Sequence, residues 1–183
     1  MDKNWNIKFV TSYDVDELSK KVLDLSEDYW KVVIDRGDHG VHSKVEPILL
    51  IDFPLSWTGE GYPSIDNLNN FSFGNEVRKI IEDLENRYSG KVGRVLLLKL
   101  QPQSSIPKHV DHGYYLTVNH RCHVPLYTRP GVDFTVDTDT VYMDVGTCYE
   151  INNSRLHHVE NNTDLPRIHL LVDIIPKDLI KTT

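Results

Sequence analysis

At 183 residues, 39% hydrophobic and 26% charged, the chain has globular proportions and room for one core of ordinary size, which excludes fibrous and disordered classes. Its formal charge of −7, from 20 Lys+Arg against 27 Asp+Glu, sets a field that repels phosphate backbones and argues against nucleic acid as a partner. The longest apolar runs, Ile48 to Ile51 and Val95 to Leu98, fall far short of the roughly 18 residues that span a bilayer, and Met1-Asp2-Lys3-Asn4-Trp5 lacks an export pattern, so a soluble, cytoplasmic protein with no membrane partner is expected.

In chain order, Asp14 and Glu17 have capping-box spacing, and Val15, Leu18, Val22, Leu25 and Tyr29 recur at three and four. This predicts a helix from about Val15 to Trp30. Arg36-Gly37-Asp38 reads as a chance tripeptide. The β-branched and aliphatic run Val45 to Phe53 predicts a strand, ended by the turn-rich Ser56 to Pro63, a loop and a candidate mobile segment. From Asn75, the positions Val77, Ile80, Ile81, Leu84 and Tyr88 again have helical period, and Gly90 stands where a left-handed cap would stop the helix.

After Gly90 the period becomes alternating. Strands are predicted at Val92–Leu100, Tyr114–Val118, Arg121–Tyr127, Val132–Val136, Thr140–Val145, Cys148–Ile151, Leu156–Val159 and Arg167–Ile175. Helices against about eight short strands predict a mainly β fold with flanking helices, a jelly roll enclosing a small-molecule site. With no linker visible, residues 1–183 read as one domain, about 1–90 a helical and mixed support and about 91–176 the jelly-roll core.

Two cysteines, Cys122 and Cys148, cannot form a disulfide framework and read as reduced thiols, which makes the sequons at Asn70, Asn152 and Asn161 chance matches. Of nine histidines, seven fall between His109 and His169. His109-Val110-Asp111 puts an imidazole and a carboxylate on one face of an extended chain. Alone that spacing is commonplace, but His157-His158 offers a third ligand, and two histidines with one carboxylate make the facial triad of non-haem Fe(II) oxygenases. Arg167 opens an apolar strand with a planar fork suited to a carboxylate. Arg121 and His123 alternate on another strand as a second cationic pair. The dicarboxylate 2-oxoglutarate would use a metal at one end and Arg167 at the other.

Taken in order, the blocks Leu98 to Asp111, Arg121 to Leu126, Gly146, His157 to Asn161 and Pro166 to Asp173 resemble the aspartyl/asparaginyl β-hydroxylase family, over roughly Val92 to Pro176. The resemblance implies a double-stranded β-helix dioxygenase that uses Fe(II), 2-oxoglutarate and O2. It matches His109 and Asp111 to the proximal metal ligands, and His157, two before Val159 and ten before Arg167, to the distal one. His158 is the rival, and only one of two neighbouring strand residues can point inward. Arg167 matches the arginine for the far carboxylate of 2-oxoglutarate, and Arg121 with His123 the pair lining the co-substrate site. Where the family usually has Pro-Gly before the proximal histidine this chain has Pro102-Gln103, so a different loop conformation is expected.

The function implied is hydroxylation of an aspartyl/asparaginyl-type residue in a peptide or protein. A free amino-acid (proline-type) hydroxylase is the alternative within the class, and a non-catalytic jelly-roll metal or ligand binder the alternative outside it. A zinc site from His120, Cys122, His123 and Cys148 ranks last, because its spacing is too cramped for four closed ligands.

Overall fold

The computed structural model describes residues 3–31 and 43–181, and Arg36-Gly37-Asp38 lies outside the described residues. Strand β1 (Ile7–Ser12), helix α1 (Asp16–Leu23), strands β2 (Val45–Asp52) and β3 (Ile65–Asp66) and helix α2 (Gly74–Tyr88) come first. Then follow β4 (Gly90–Leu100), β5 (Ser104–His109), the short helix α3 (Tyr114–Val118), β6 (His120–Tyr127) and β7 (Val132–Val136). The chain ends with β8 (Asp139–Val141), β9 (Thr147–Ile151), β10 (His157–Asn161) and β11 (Arg167–Pro176).

These strands form two antiparallel sheets, of order β1-β9-β6-β11-β4-β2-β3 and β5-β10-β7-β8. From β4 onward the chain passes back and forth between them, with β4, β6, β9 and β11 in the larger sheet and β5, β7, β8 and β10 in the smaller. That alternation is the double-stranded β-helix, or jelly roll, expected from the sequence. Among the described residues no helix is long and apolar enough to cross a membrane.

Strand alternation divides the core in two. On β11 the even-numbered Ile168, Leu170, Val172 and Ile174 pack under α1 and α2 against Leu18, Val22, Val77, Ile80 and Leu84. Leu171 faces the other way and meets Leu96, Leu98, Ile106, Phe134 and Val159 between the sheets. Each such side chain stabilises the fold by about 1.5–3 kcal/mol when fully buried. Arg167, His169 and Asp173 share the odd-numbered set of Leu171, and all three are buried. Polar groups are thereby carried into the space between the sheets.

Several elements differ from the sequence expectation. The first helix stops at Leu23 rather than Trp30, and Glu27–Lys31 is a tighter 3-10 turn. Tertiary contacts override the apolar period there, because Lys99 on β4 holds Glu27 at 2.9 Å and lies 4.7 Å from the Trp30 ring centre. Tyr114–Val118 is a helix, not a strand: Thr117 donates through both its backbone N–H and its hydroxyl to the Gly113 carbonyl, and Tyr115 is wholly buried. The strand expected over Thr140–Val145 is only Asp139–Val141. The left-handed cap of α2 is Ser89, with φ of 47°. Gly90 already belongs to β4, where a Cβ would come within 2.3 Å of Ile174. The Ser56–Pro63 loop is tied down by the buried Trp57, whose indole N–H reaches the Glu60 and Gly61 carbonyls at 3.1 Å. Cys122 and Cys148 are free thiols, both buried on the helix-covered side.

Candidate active site

β5 and β10 pair with His109 and His157 in direct register, so strands far apart in sequence set two imidazoles side by side, their ring centres 4.1 Å apart. Asp111 follows β5, and its backbone N–H donates to the Asn153 carbonyl at 3.1 Å. His109 Nε2 lies 3.8 Å from Asp111 Oδ1. One ligand atom from each of His109, Asp111 and His157 falls within 4.8 Å of the others, a grouping able to hold a metal ion. His157 is buried, whereas His158 is only half-buried, and successive strand residues face opposite ways.

The protonation pattern suits ligation. His109 Nδ1 lies 2.8 Å from the Pro107 carbonyl and His157 Nδ1 lies 2.9 Å from that of Arg155. A carbonyl only accepts, so each Nδ1 carries a proton, which leaves Nε2 as the nitrogen that can offer a metal a lone pair. Burial holds the His157 pKa below its usual value, with Asp111 opposing it, which keeps the ring neutral. Burial opposes ionisation of Asp111 too, but the Arg121 guanidinium, aided by the hydrogen bond from the Asn153 amide, holds its carboxyl below the usual range. Two imidazoles and a carboxylate are the donor set of a non-haem iron site.

One cavity between the sheets is lined by this trio and by Arg121, His123 and Arg167, the full set that the sequence singled out. Arg167 is 1% exposed. Its Nη2 donates to His169 Nδ1 at 2.7 Å, the guanidinium lies 5.9 Å from the Phe134 ring centre, and Nε and Nη1 have no hydrogen-bond partner. Burial pushes its pKa down to about 9. A buried guanidinium without a carboxylate carries a desolvation penalty that a bound anion would relieve. His123 is buried between the Phe134 and His169 rings, and neither of its nitrogens has a hydrogen-bond partner. Burial, then the Arg167 charge, hold the pKa of both His123 and His169 well below the usual value. Neutral rings beside Arg167 add no positive charge.

Arg121 is placed differently from Arg167. Its Nε and Nη2 donate at 2.9 Å to the two carboxylate oxygens of Asp173, and Nη1 donates to Asp111 Oδ2 at 2.6 Å. Asp173 and Asn153, whose amide donates to Asp111 Oδ2 at 3.2 Å, were not singled out by the sequence. Their signal was faint: Arg167, His169 and Asp173 recur with period two in a strand otherwise wholly apolar, which marks one polar face. The zinc grouping is not assembled: His123 faces the cavity, whereas Cys122 and Cys148 lie on the helix-covered side.

A jelly roll whose interior holds two histidines, a carboxylate and an unmatched arginine defines a class, the non-haem iron oxygenases that take a 2-oxo-acid co-substrate. A family model described as aspartyl/asparaginyl beta-hydroxylase matches residues 54–176. That is more than half of the chain, and the chain belongs to this family of 2-oxoglutarate- and Fe(II)-dependent dioxygenases. Among solved structures, an oxidoreductase of the 2OG-Fe(II) oxygenase family from Burkholderia pseudomallei is 14% identical, with 81% of this chain and 74% of that chain covered at a TM-score of 0.52. The viral collagen prolyl hydroxylase of Paramecium Bursaria Chlorella virus-1, solved as its 2OG complex, is 9% identical over 94% of this chain and 96% of its own, at 0.56. The non-heme monooxygenase ThoJ, solved as a Ni complex, is 15% identical over 93% and 73%, at 0.55. At these identities the likeness is one of fold. No curated protein sequence matches the chain significantly.

Proposed function

We propose that residues 1–183 act as a single dioxygenase domain that hydroxylates an aspartyl/asparaginyl-type residue in a peptide or protein, with Fe(II), 2-oxoglutarate and O2. His109, Asp111 and His157 would hold the iron, and Arg167 the far carboxylate of 2-oxoglutarate with neutral His123 and His169 beside it. The observation that carries the reading is Arg167, buried on the cavity of the triad with Nε and Nη1 unmatched. The bound iron and co-substrate supply the oxidising power that replaces an unactivated C–H bond with C–OH. The chain's own residues bind and orient: two backbone carbonyls fix the imidazole tautomers, and Arg121 and Asn153 hold Asp111. Leu98, Ile106 and Val159 give the cavity apolar walls that keep water from the reacting groups. The family supports a peptide or protein substrate. The cytoplasm is the proposed compartment, where Cys122 and Cys148 would stay reduced.

The test is an anaerobic titration with Fe(II) and then 2-oxoglutarate, followed by aerobic incubation with Asp- and Asn-containing peptides and mass spectrometry. The expected result is an absorption band that needs both additions, succinate formed from 2-oxoglutarate, and a peptide that gains one oxygen. Iron binding without the band or succinate would instead support the non-catalytic binder. Succinate coupled to oxidation of free proline and of no peptide would move the substrate to a free amino acid.

A further inference from the structure

We propose that Arg121, backed by Asp173 and Tyr115, is a positioning residue for the Asp111 carboxylate rather than a group that binds the co-substrate. The proposal rests on the metal-site reading above, which makes Asp111 a ligand. Arg121 and Asp173 are direct register partners on β6 and β11, so the sheet itself sets the fork against its carboxylate. All three guanidinium nitrogens donate to carboxylate oxygens, two to Asp173 and one to Asp111. By contrast, Arg167 meets no carboxylate and keeps two nitrogens unmatched.

The support continues beyond Asp173, which is fully buried. The Tyr115 hydroxyl donates to Asp173 Oδ2 at 2.9 Å and accepts from the Arg94 backbone N–H at 2.7 Å. Gly93 leaves the room this requires, since a Cβ there would come within 2.4 Å of the Tyr115 hydroxyl. A chain of groups thus runs from the backbone of β4 through Tyr115, Asp173 and Arg121 to Asp111. It ends on Oδ2 alone, where the Asn153 amide also donates at 3.2 Å. Oδ1 is the oxygen that lies toward His109 Nε2. Arg121 and Asn153 therefore occupy one oxygen and hold the other toward the imidazoles, the preorganisation a monodentate metal ligand requires.

Two affinities separate the two roles of Arg121. Co(II) titrated into the full chain by calorimetry measures the metal site, and 2-oxoglutarate titrated into Co(II)-saturated protein measures the co-substrate site. Arg121→Lys keeps the charge but loses the fork, Asp173→Asn loses the buried anion, and Tyr115→Phe removes only the hydroxyl. Arg121→Lys and Asp173→Asn are expected to weaken Co(II) binding about 10- to 100-fold, with 2-oxoglutarate affinity for loaded protein unchanged. Tyr115→Phe is expected to shift the same affinity in the same direction by less. If Asp173→Asn does not fold, Arg121→Lys and Tyr115→Phe carry the test. Weakened 2-oxoglutarate binding at unchanged Co(II) affinity would overturn the proposal, as would no change in either. Should wild type take up no Co(II), or His157→Ala bind it equally well, the metal-site reading fails instead.

Discussion

Arg167 is the residue whose surroundings ask most directly for a ligand. Its charge lies between the sheets with a neutral His169 as its hydrogen-bond partner and no anion. A hydrogen bond to a charged group contributes about 1.5–3 kcal/mol, so Arg167→Gln is expected to raise the KM for 2-oxoglutarate about tenfold or more. Iron affinity should stay unchanged, and comparing Fe(II) titration with the succinate assay checks both. The neighbouring histidines make a sharper pair. His157→Ala is expected to abolish metal uptake, whereas His158→Ala, which changes a half-buried ring on the opposite strand face, should retain it in the same titration. His109, Asp111 and Arg167 were legible because their chemistry shows in residue type and spacing. Asp173 and Tyr115 were not, because their importance lies in cross-strand partners that no linear pattern reports.

Among the elements, the turn between β4 and β5 bears on the site because it launches the strand that carries His109. At the position where the family usually has glycine, Gln103 takes φ of 48°, the left-handed region that glycine favours. It is kept there by its backbone N–H to the Thr163 carbonyl and its amide to that of Asn162, both at 3.1 Å. A non-glycine residue in this region costs roughly 1–2 kcal/mol. Gln103→Gly is therefore expected to raise stability by about 1 kcal/mol in urea denaturation, less whatever the lost amide bond contributes. Strongly periodic elements such as α2, β4 and β11 were legible because burial of one or both faces dictates their composition. β1 and β5 were not. Each lies at the edge of its sheet, so one side is unpaired and the apolar alternation is diluted: β5 buries only Ile106 and contains Pro107. Tyr114–Val118 misled because aromatic and β-branched residues favour strands on average, while burial of the Tyr115 ring and its bond to Asp173 favour one helical turn.

At the scale of the whole molecule, a second buried charge cluster anchors the start of the chain to the outer side of the large sheet. Glu150, 1% exposed, accepts from His120 at 2.7 Å and from the Tyr88 hydroxyl at 2.9 Å, and it lies 3.3 Å from Lys3 Nζ. Burial works against its ionisation, but His120, Lys3 and Tyr88 prevail and hold its pKa below the ordinary glutamate value. A depressed carboxyl pKa contributes stability that is complete above the unfolded value and is lost as pH falls through the folded one. Glu150→Gln is accordingly expected to cost about 3 kcal/mol near pH 7. The variant should also lose less stability than wild type on acidification, which thermal unfolding across pH 3–7 would reveal. The pairing of β5 with β10 also has a consequence in time. His109 and His157 become neighbours only when two remote stretches of chain have found each other, and contacts of such long sequence separation form late on the folding pathway. A divalent cation held by the proposed metal site would therefore recognise the finished protein and not its precursors. In stopped-flow experiments Co(II) should leave the refolding rate unchanged and slow unfolding, so that its mass-action stabilisation shows as a longer native lifetime.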